Sequence, residues 1–373
     1  MCSRKISIFI PVYRESDLLE HLLTSLINDP YKDKEIFVVI DEPTERSLEV
    51  SKRFSEEEVH FKFNGIRRGK ANVLNEVVSE SKGEVLLFLD SDTLIDGGKK
   101  NSFLETIVRE MGDAEIVEIK KEVIKDSFIA RIISYDYLGF SLTNFYFSER
   151  IKRCLGINGA AFAMRREVFE ALGGFRRVIC EDLDIAVRSF IKGARFKFLK
   201  DITVYTKAPS SWRGWFEQRK RWGVGAAFWV REHFKTLKTA LCKHPEVVIP
   251  SLLFIFPALP IFLFSLFIPD ELSIKILYTS LILLSTKTNL LIPPAALTST
   301  ALSTLKSIST VIGSLIGYMI VFYLIARKFQ SYFNPLDFTA FYFVMAPLWL
   351  LIILGSLIKV YIEPKKVDVN WKV

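Results

Sequence analysis

The residues best suited to chemistry stand in short acidic groups at the ends of apolar runs. Asp90-Ser91-Asp92 directly follows the run Leu86–Leu89. Carboxylates at i and i+2 on a strand exit can direct one or both groups toward a hard cation such as Mg²⁺ or Mn²⁺. A cation held there by Asp92, with Asp90, would bridge diphosphate oxygens and neutralise charge on a departing phosphate. An acidic turn without a ligand has the same local sequence. The position at the end of a buried run is what favours the metal reading.

Asp41 closes a second apolar run, Glu35–Asp41, and precedes Glu42-Pro43. A carboxylate at a sheet end can accept hydrogen bonds from a base or ribose, or it can simply close a turn. Arg67-Arg68-Gly69-Lys70 leads into a helical pattern beginning near Ala71. Cations and a glycine at a helix N-terminus suit a diphosphate; a solvated basic turn is the other reading. Glu181-Asp182 lies before the helical run Leu183–Ile191. Such a pair is either a cap favoured by the helix dipole or a general base facing an acceptor. Gln218, Arg221 and Trp222 form a QxxRW pattern that shares one side of a helix. There Trp can stack on a sugar and Arg can grip a phosphate, unless the group is an anchoring belt at a membrane interface.

The elements that must hold these groups follow from periodicity. Apolar runs at Ile6–Tyr13, Glu35–Asp41, Val59–Phe63 and Glu84–Asp90 alternate with helical patterns at Ser16–Ile27 and Gly69–Ser79. That alternation predicts βαβ units, hence an α/β fold with a mostly parallel sheet. Ligands in such sheets sit beyond the carboxyl ends of the strands, where Asp41 and Asp90 fall.

The 373 residues predict two units. Half are apolar and the mean hydropathy is +0.25, but charges are dense only up to about Lys243. A globular domain is expected over 1–243 and a membrane region over 244–373. Apolar stretches at 247–268, 307–326 and 338–362 are long enough to span a bilayer, which takes about 20 residues. A weaker one at 274–297 is interrupted by Lys287, Asn289 and Pro293-Pro294. An even count of four keeps the domain and the Lys-rich tail on one side, although Arg327 and Lys328 then lie outside. Segments 128–153 and 211–235 mix aromatics with basic residues, as interfacial helices do; amphipathic core helices can look the same.

The net charge of +8 raises the question of nucleic acid. The cations cluster instead before the first apolar span (Arg231, Lys235, Lys238, Lys243) and in the tail (Lys365, Lys366, Lys372). This is the pattern of cytoplasmic loops near anionic lipid, and no nucleic-acid partner is expected. The four cysteines lack metal-ligand spacing and read as reduced thiols. No secretory signal precedes the first strand, so the domain is expected on the cytoplasmic face of a cell membrane, multi-pass.

Taken together and in order, these pieces resemble membrane-integrated family 2 glycosyltransferases, such as cellulose, chitin and hyaluronan synthases and ceramide glucosyltransferases. The likeness rests on FIPVYRE at Phe9–Glu15, Asp41, GKANVLN at Gly69–Asn75, DSD at Asp90–Asp92 and NGAAFAMRREVFEALGGF at Asn158–Phe175. Glu181-Asp182 and QRKRW at Gln218–Trp222 complete it. It covers about residues 5–235. It implies a GT-A fold and an inverting transfer from a nucleotide sugar, a UDP-sugar or similar, to a hydroxyl of a membrane lipid or glycan. Donor contacts would come from Pro11, Tyr13, Glu15, Asp41, Lys70 and Asp90, with Asp92 and Asp90 on the metal. Asp182, beside Glu181, would be the base. Gln218, Arg221, Trp222, Asn158 and Gly159 would line the acceptor and diphosphate side.

Departures are Cys180 where the family often has Thr, Lys207-Ala208-Pro209 before the QxxRW helix, and a small membrane region. They bear on processive polymer secretion more than on sugar transfer. Three rivals stand beside single transfer: a processive polysaccharide synthase, transfer to a polyprenyl phosphate, and a membrane sensor that binds nucleotide sugars without turnover.

Overall fold

A computed structural model describes residues 4–54, 59–95, 102–256, 270–288 and 298–362. Compact packing divides the chain into two units, one of Met1–Leu252 with Leu351–Val373, the other Leu253–Leu350.

The first unit is built on an eight-stranded sheet. Its strands are β1 (Ile6–Tyr13), β2 (Lys34–Asp41), β3 (Val59–Asn64), β4 (Val85–Leu89), β5 (Thr93–Ile95), β6 (Ile116–Val123), β7 (Ala161–Arg165) and β8 (Phe196–Thr206), in the order β3-β2-β1-β4-β7-β6-β8-β5. The first four in space run parallel, as expected, and so do β6 and β8. The sheet is nevertheless mixed rather than mostly parallel. β7 is antiparallel to both β4 and β6, and β5 to β8. The cause is local: the Asp90 amide donates to the Ala160 carbonyl at 2.9 Å, so β7 begins where β4 ends and must run back along it.

Strands covered on both faces read as continuous apolar runs. Residues alternate between faces, and the two faces differ. Ile8, Ile10, Val38, Leu87 and Ala163 join an aliphatic core. On the opposite face Phe37, Phe9, Phe88 and Phe162 stack strand to strand with ring centroids 5.6, 5.4 and 5.0 Å apart.

Helices α1 (Leu19–Ile27), α2 (Glu45–Arg53), α3 (Lys70–Glu80), α4 (Phe103–Glu110), α5 (Phe128–Tyr146), α6 (Arg166–Ala171), α7 (Glu181–Lys192), α8 (Trp212–Lys243) and α9 (Pro245–Ile255) follow the chain. α2 starts with a reciprocal Thr44–Ser47 capping box. α5, whose sequence suited an interface, is buried along most of its length, with Phe128 the exposed residue at its start. α8 is 32 residues long and departs from helical geometry at His233 (φ −102°, ψ 15°). The last turns of helix Ala346–Ile362 belong to this unit. There Val360 packs with Ala227, Val224 and Phe228 of α8, and Arg231 Nη1 donates to the Val360 carbonyl at 3.3 Å.

The second unit is helical, with Asp270–Thr288, Ser299–Phe329 and Pro335–Ala340 among its segments. Phe322 and Phe338 meet at 5.0 Å, and the Tyr342 hydroxyl donates to Ser314 Oγ at 2.9 Å. Two continuous helices, Thr300–Phe329 and Pro335–Ile362, are long and apolar enough to cross a membrane. Only 11 % and 33 % of their most apolar windows are buried, so most apolar side chains face outward, unlike those of a soluble core helix. Of the other two expected spans, the described parts are α9 and Asp270–Thr288. Residues 257–269 and 289–297, with Pro293-Pro294, lie outside the described residues.

Candidate active site

Lys70 sits at the first position of α3, after Gly69 in the left-handed region (φ 84°). Asp41 sets that turn. Its Oδ2 accepts from the amides of Arg68 (2.8 Å) and Gly69 (2.9 Å), and its Oδ1 from Asn64 Nδ2 (2.9 Å). The Asp41 carboxylate, 5 % exposed, therefore already holds the basic loop that leads into α3. The sequence leaves Asp41 open between a nucleotide contact and a turn, and these three hydrogen bonds are those of the turn.

From that helix start Lys70 Nζ reaches Asp90 Oδ1 at 2.6 Å and Glu181 Oε1 at 3.3 Å. Burial alone would lower its pKa; the charges of Asp90, Glu181 and Asp182 outweigh that and raise it, keeping an ammonium here. Carboxylates from β4's exit and α7's first turn thus converge on one cation. Burial, only partly offset by Lys70, pushes Glu181 up to about 7, with Asp182 adding to the rise. Asp182 is raised by burial as well, against Lys70 and the amides of Gly159 and Leu183. Those amides donate to its Oδ2 and Oδ1, each at 2.8 Å.

Asp92 completes the acidic group. Burial first and Asp90 second push it up to about 6, and it forms no ion pair among the described residues. Its carbonyl accepts from the Lys207 amide at 3.1 Å, beside the β5–β8 pairing, and the Ser91 carbonyl accepts from Ser16 Oγ at 2.7 Å. The DSD turn is fixed from two sides.

Arg221 on α8 lies within the fields of Glu181, Cys180, Arg67 and Asp90, and burial lowers its pKa. Trp222 is half-buried with the Arg219 guanidinium 4.7 Å from its ring. Gln218, one turn earlier, is half-buried. Asn158 donates its amide to Glu118 Oε1 at 3.4 Å. Around Lys70, then, the structure gathers Asp90, Asp92, Glu181, Asp182, Arg221 and the Asn158-Gly159 pair. The expected donor residues of β1 stand at its C-terminal end. Pro11 is paired with Val39, Tyr13 is exposed with Arg67 at 4.0 Å over its ring, and exposed Glu15 accepts from Thr44 Oγ1 at 2.6 Å.

Sequence reasoning missed a buried layer behind this group. Lys121 Nζ meets Glu118 Oε1 at 2.7 Å, both almost fully buried, and Asn144 Nδ2 donates to Glu118 Oε2 at 2.7 Å. Burial raises Glu118 and lowers Lys121, and both feel the charge of Asp182. Charged letters inside the strand-length stretch Ile116–Val123 were the available signal. A second acidic group, Asp184, Glu232 and His233, brings ligand atoms within 4.8 Å of one another. Arg176 bridges Asp184 (3.1 Å) and Glu232 (2.5 Å) while Arg188 holds Asp184 at 2.7 Å, so guanidinium groups already supply its positive charge.

Comparison with known proteins bears on this geometry. Residues 7–173 match the family described as Glycosyl transferase family 2. Among curated proteins, the chain is similar to a probable glycosyltransferase, YdaM, of Bacillus subtilis. The two are 28 % identical over 59 % of this chain and 55 % of that protein. It is also similar to poly-beta-1,6-N-acetyl-D-glucosamine synthase of Staphylococcus aureus, with 23 % identity over 63 % of this chain and 58 % of that one. The chain thus spans little more than half the length of these relatives. Among solved structures it resembles a mannosyltransferase of Pyrobaculum calidifontis in complex with GDP-Man and Mn²⁺. The TM-score is 0.51 at 18 % identity, over 84 % of this chain and 87 % of that one. That likeness is one of fold, the mixed α/β GT-A architecture. Residues 7–173, which supply Asp41, Lys70, Asp90, Asp92 and Gly159 to the site, are thus the segment that matches the glycosyl transferase family 2 model.

Proposed function

We propose that this protein transfers a sugar, with inversion, from a nucleotide-sugar donor to a hydroxyl of a membrane lipid or glycan. The observation that carries the reading is the convergence on Lys70 of Asp90 at 2.6 Å and Glu181 at 3.3 Å, with Asp182 next in sequence. One side of such a group suits a diphosphate; the other suits an incoming nucleophile.

The residues present fit a divalent cation. Asp92 and Asp90 offer oxygen donors only, as Mg²⁺ and Mn²⁺ prefer. Asp92 is held up to about 6 by burial and its acidic neighbour, a repulsion that a bound cation relieves. Mn²⁺ accompanies the nucleotide sugar in the Pyrobaculum mannosyltransferase. Such an ion at Asp92 and Asp90 would supply electrostatic support to the departing diphosphate.

The remaining chemistry belongs to the protein. Lys70 and Arg221 offer cations to the diphosphate. Asp182, oriented by the amides of Gly159 and Leu183, faces the acceptor with a lone pair left on each oxygen. The acceptor oxygen bonds to the anomeric carbon as its proton passes to Asp182. The bond from that carbon to the diphosphate oxygen breaks, and the electron pair leaves with the nucleoside diphosphate. A single displacement of this kind inverts the configuration.

The outward-facing apolar helices support a membrane anchor, and the cations that precede α9 (Arg231, Lys235, Lys238, Lys243) support a cytoplasmic catalytic domain in a multi-pass protein. A second reading, processive polysaccharide synthesis, is favoured by the name of the staphylococcal relative. Product length separates the two: one added sugar against a ladder of long chains.

The direct test is release of nucleoside diphosphate by the full chain in detergent, with UDP- and GDP-sugars and Mg²⁺ or Mn²⁺. Metal-dependent release accelerated by a lipid acceptor is expected. No release with any donor would overturn the proposal.

A further inference from the structure

Within Gln218–Trp222 the residues differ sharply in burial. Gln218, Arg221 and Trp222 are half-buried and Lys220 is exposed, whereas Arg219 is fully buried. Arg219 Nη2 donates to Asp136 Oδ2 of α5 at 2.7 Å, with the side chains 1 % and 5 % exposed. Its guanidinium lies 4.7 Å from the centre of the Trp222 ring and 5.7 Å from that of Trp215, in range of cation–π attraction. The residue after Asp136 is Tyr137. Burial raises the pKa of its phenol, Arg219 opposes that, and Asp92 and Asp90 lie within its electrostatic reach. One buried pair therefore ties the Trp222 ring of α8 to α5.

A buried ion pair gives little net stability, because desolvation offsets its attraction, and fixing a register is its best-attested use. Both partners are too buried to touch a substrate. We propose that Asp136 and Arg219 are positioning residues: they fix the Trp222 ring and the spacing of α5 against α8, and so hold the acceptor hydroxyl in line with the donor. This rests on the transfer reading given above.

The test uses the full chain in detergent and two variants. Asp136→Leu with Arg219→Met replaces the pair by apolar groups of similar size, an exchange that buried pairs often tolerate. Arg219→Lys keeps the charge but loses the flat guanidinium that stacks on indole. Thermal unfolding, nucleoside diphosphate affinity with Mn²⁺, and transfer kcat and acceptor KM are measured on each. Both variants are expected to keep their nucleotide affinity while acceptor KM rises by about tenfold or more. The double variant should unfold near the wild-type temperature without recovering transfer. Wild-type kinetics in Arg219→Lys, or transfer that recovers with stability in the double variant, would overturn the inference. A nucleotide affinity that falls as far as transfer would do the same. Absence of turnover in the wild type is a separate outcome, and it sinks the transfer reading instead.

Discussion

Gly159 stands so close to Asp182 that its amide donates to Asp182 Oδ2 at 2.8 Å, and a Cβ at that glycine would lie 2.9 Å from the same oxygen. The next nearest atom, Asp182 Cβ, would be at 3.1 Å. A methyl group there must displace the carboxylate. Gly159→Ala is expected to lower transfer by about 10²-fold, the usual consequence of moving a reacting group by about an ångström. Nucleoside diphosphate affinity should stay close to wild type. Steady-state kinetics beside a nucleotide titration check this; unchanged kcat would show that the carboxylate can move freely.

Lys70→Met removes the cation shared by Asp90 and Glu181. Two carboxylates then face each other without compensation. The loss of stability is about 2 kcal/mol, below the value for fully buried pairs because Lys70 and Asp90 keep some solvent contact. Donor binding should weaken by at least about tenfold, since a diphosphate loses a charged partner. Denaturant unfolding and nucleotide titration read the two effects separately.

Glu35 anchors the start of the sheet. It accepts from Ser7 Oγ (2.5 Å) and the Lys82 amide (2.6 Å) and pairs with Lys5 (2.9 Å). Burial would raise its pKa, but these hydrogen bonds and Lys5 hold it down at about 2, from an ordinary 4.5. The folded protein keeps the carboxylate ionised to lower pH than the unfolded chain does. Its stabilisation is therefore complete above pH 4.5 and fades as pH falls from there toward 2. Glu35→Gln should cost about 2 kcal/mol at pH 7, with the gap closing across that acid window. Unfolding midpoints of the two proteins between pH 7 and 2 test it; a constant gap would contradict it.

What could be read in the sequence, and what could not, follows from burial. β1, β2 and β4 are buried on both faces and show as unbroken apolar runs, so their ends, with Tyr13, Asp41 and Asp90, were legible. β6 was not. Glu118, Lys120 and Lys121 are buried in it, and their charges hide the strand. α5 carries the aromatic and basic letters of an interfacial helix yet is a core helix, because local composition does not tell one apolar surrounding from another. The partners of Asp41, and the pairing of Asp136 with a residue 83 positions away, are set by tertiary packing and leave no local pattern.

The central claim is that Asp182 accepts the proton of an acceptor hydroxyl while the donor's diphosphate is held elsewhere, and Asp182→Asn addresses it most directly. The amide preserves the shape of the side chain and removes the base. With Mn²⁺ present, the variant is expected to bind nucleoside diphosphate as the wild type does while transfer to a hydroxyl acceptor falls by about 10²- to 10⁴-fold. Nearly full turnover by Asp182→Asn would contradict the account and would favour an acceptor that is already an anion and needs no base.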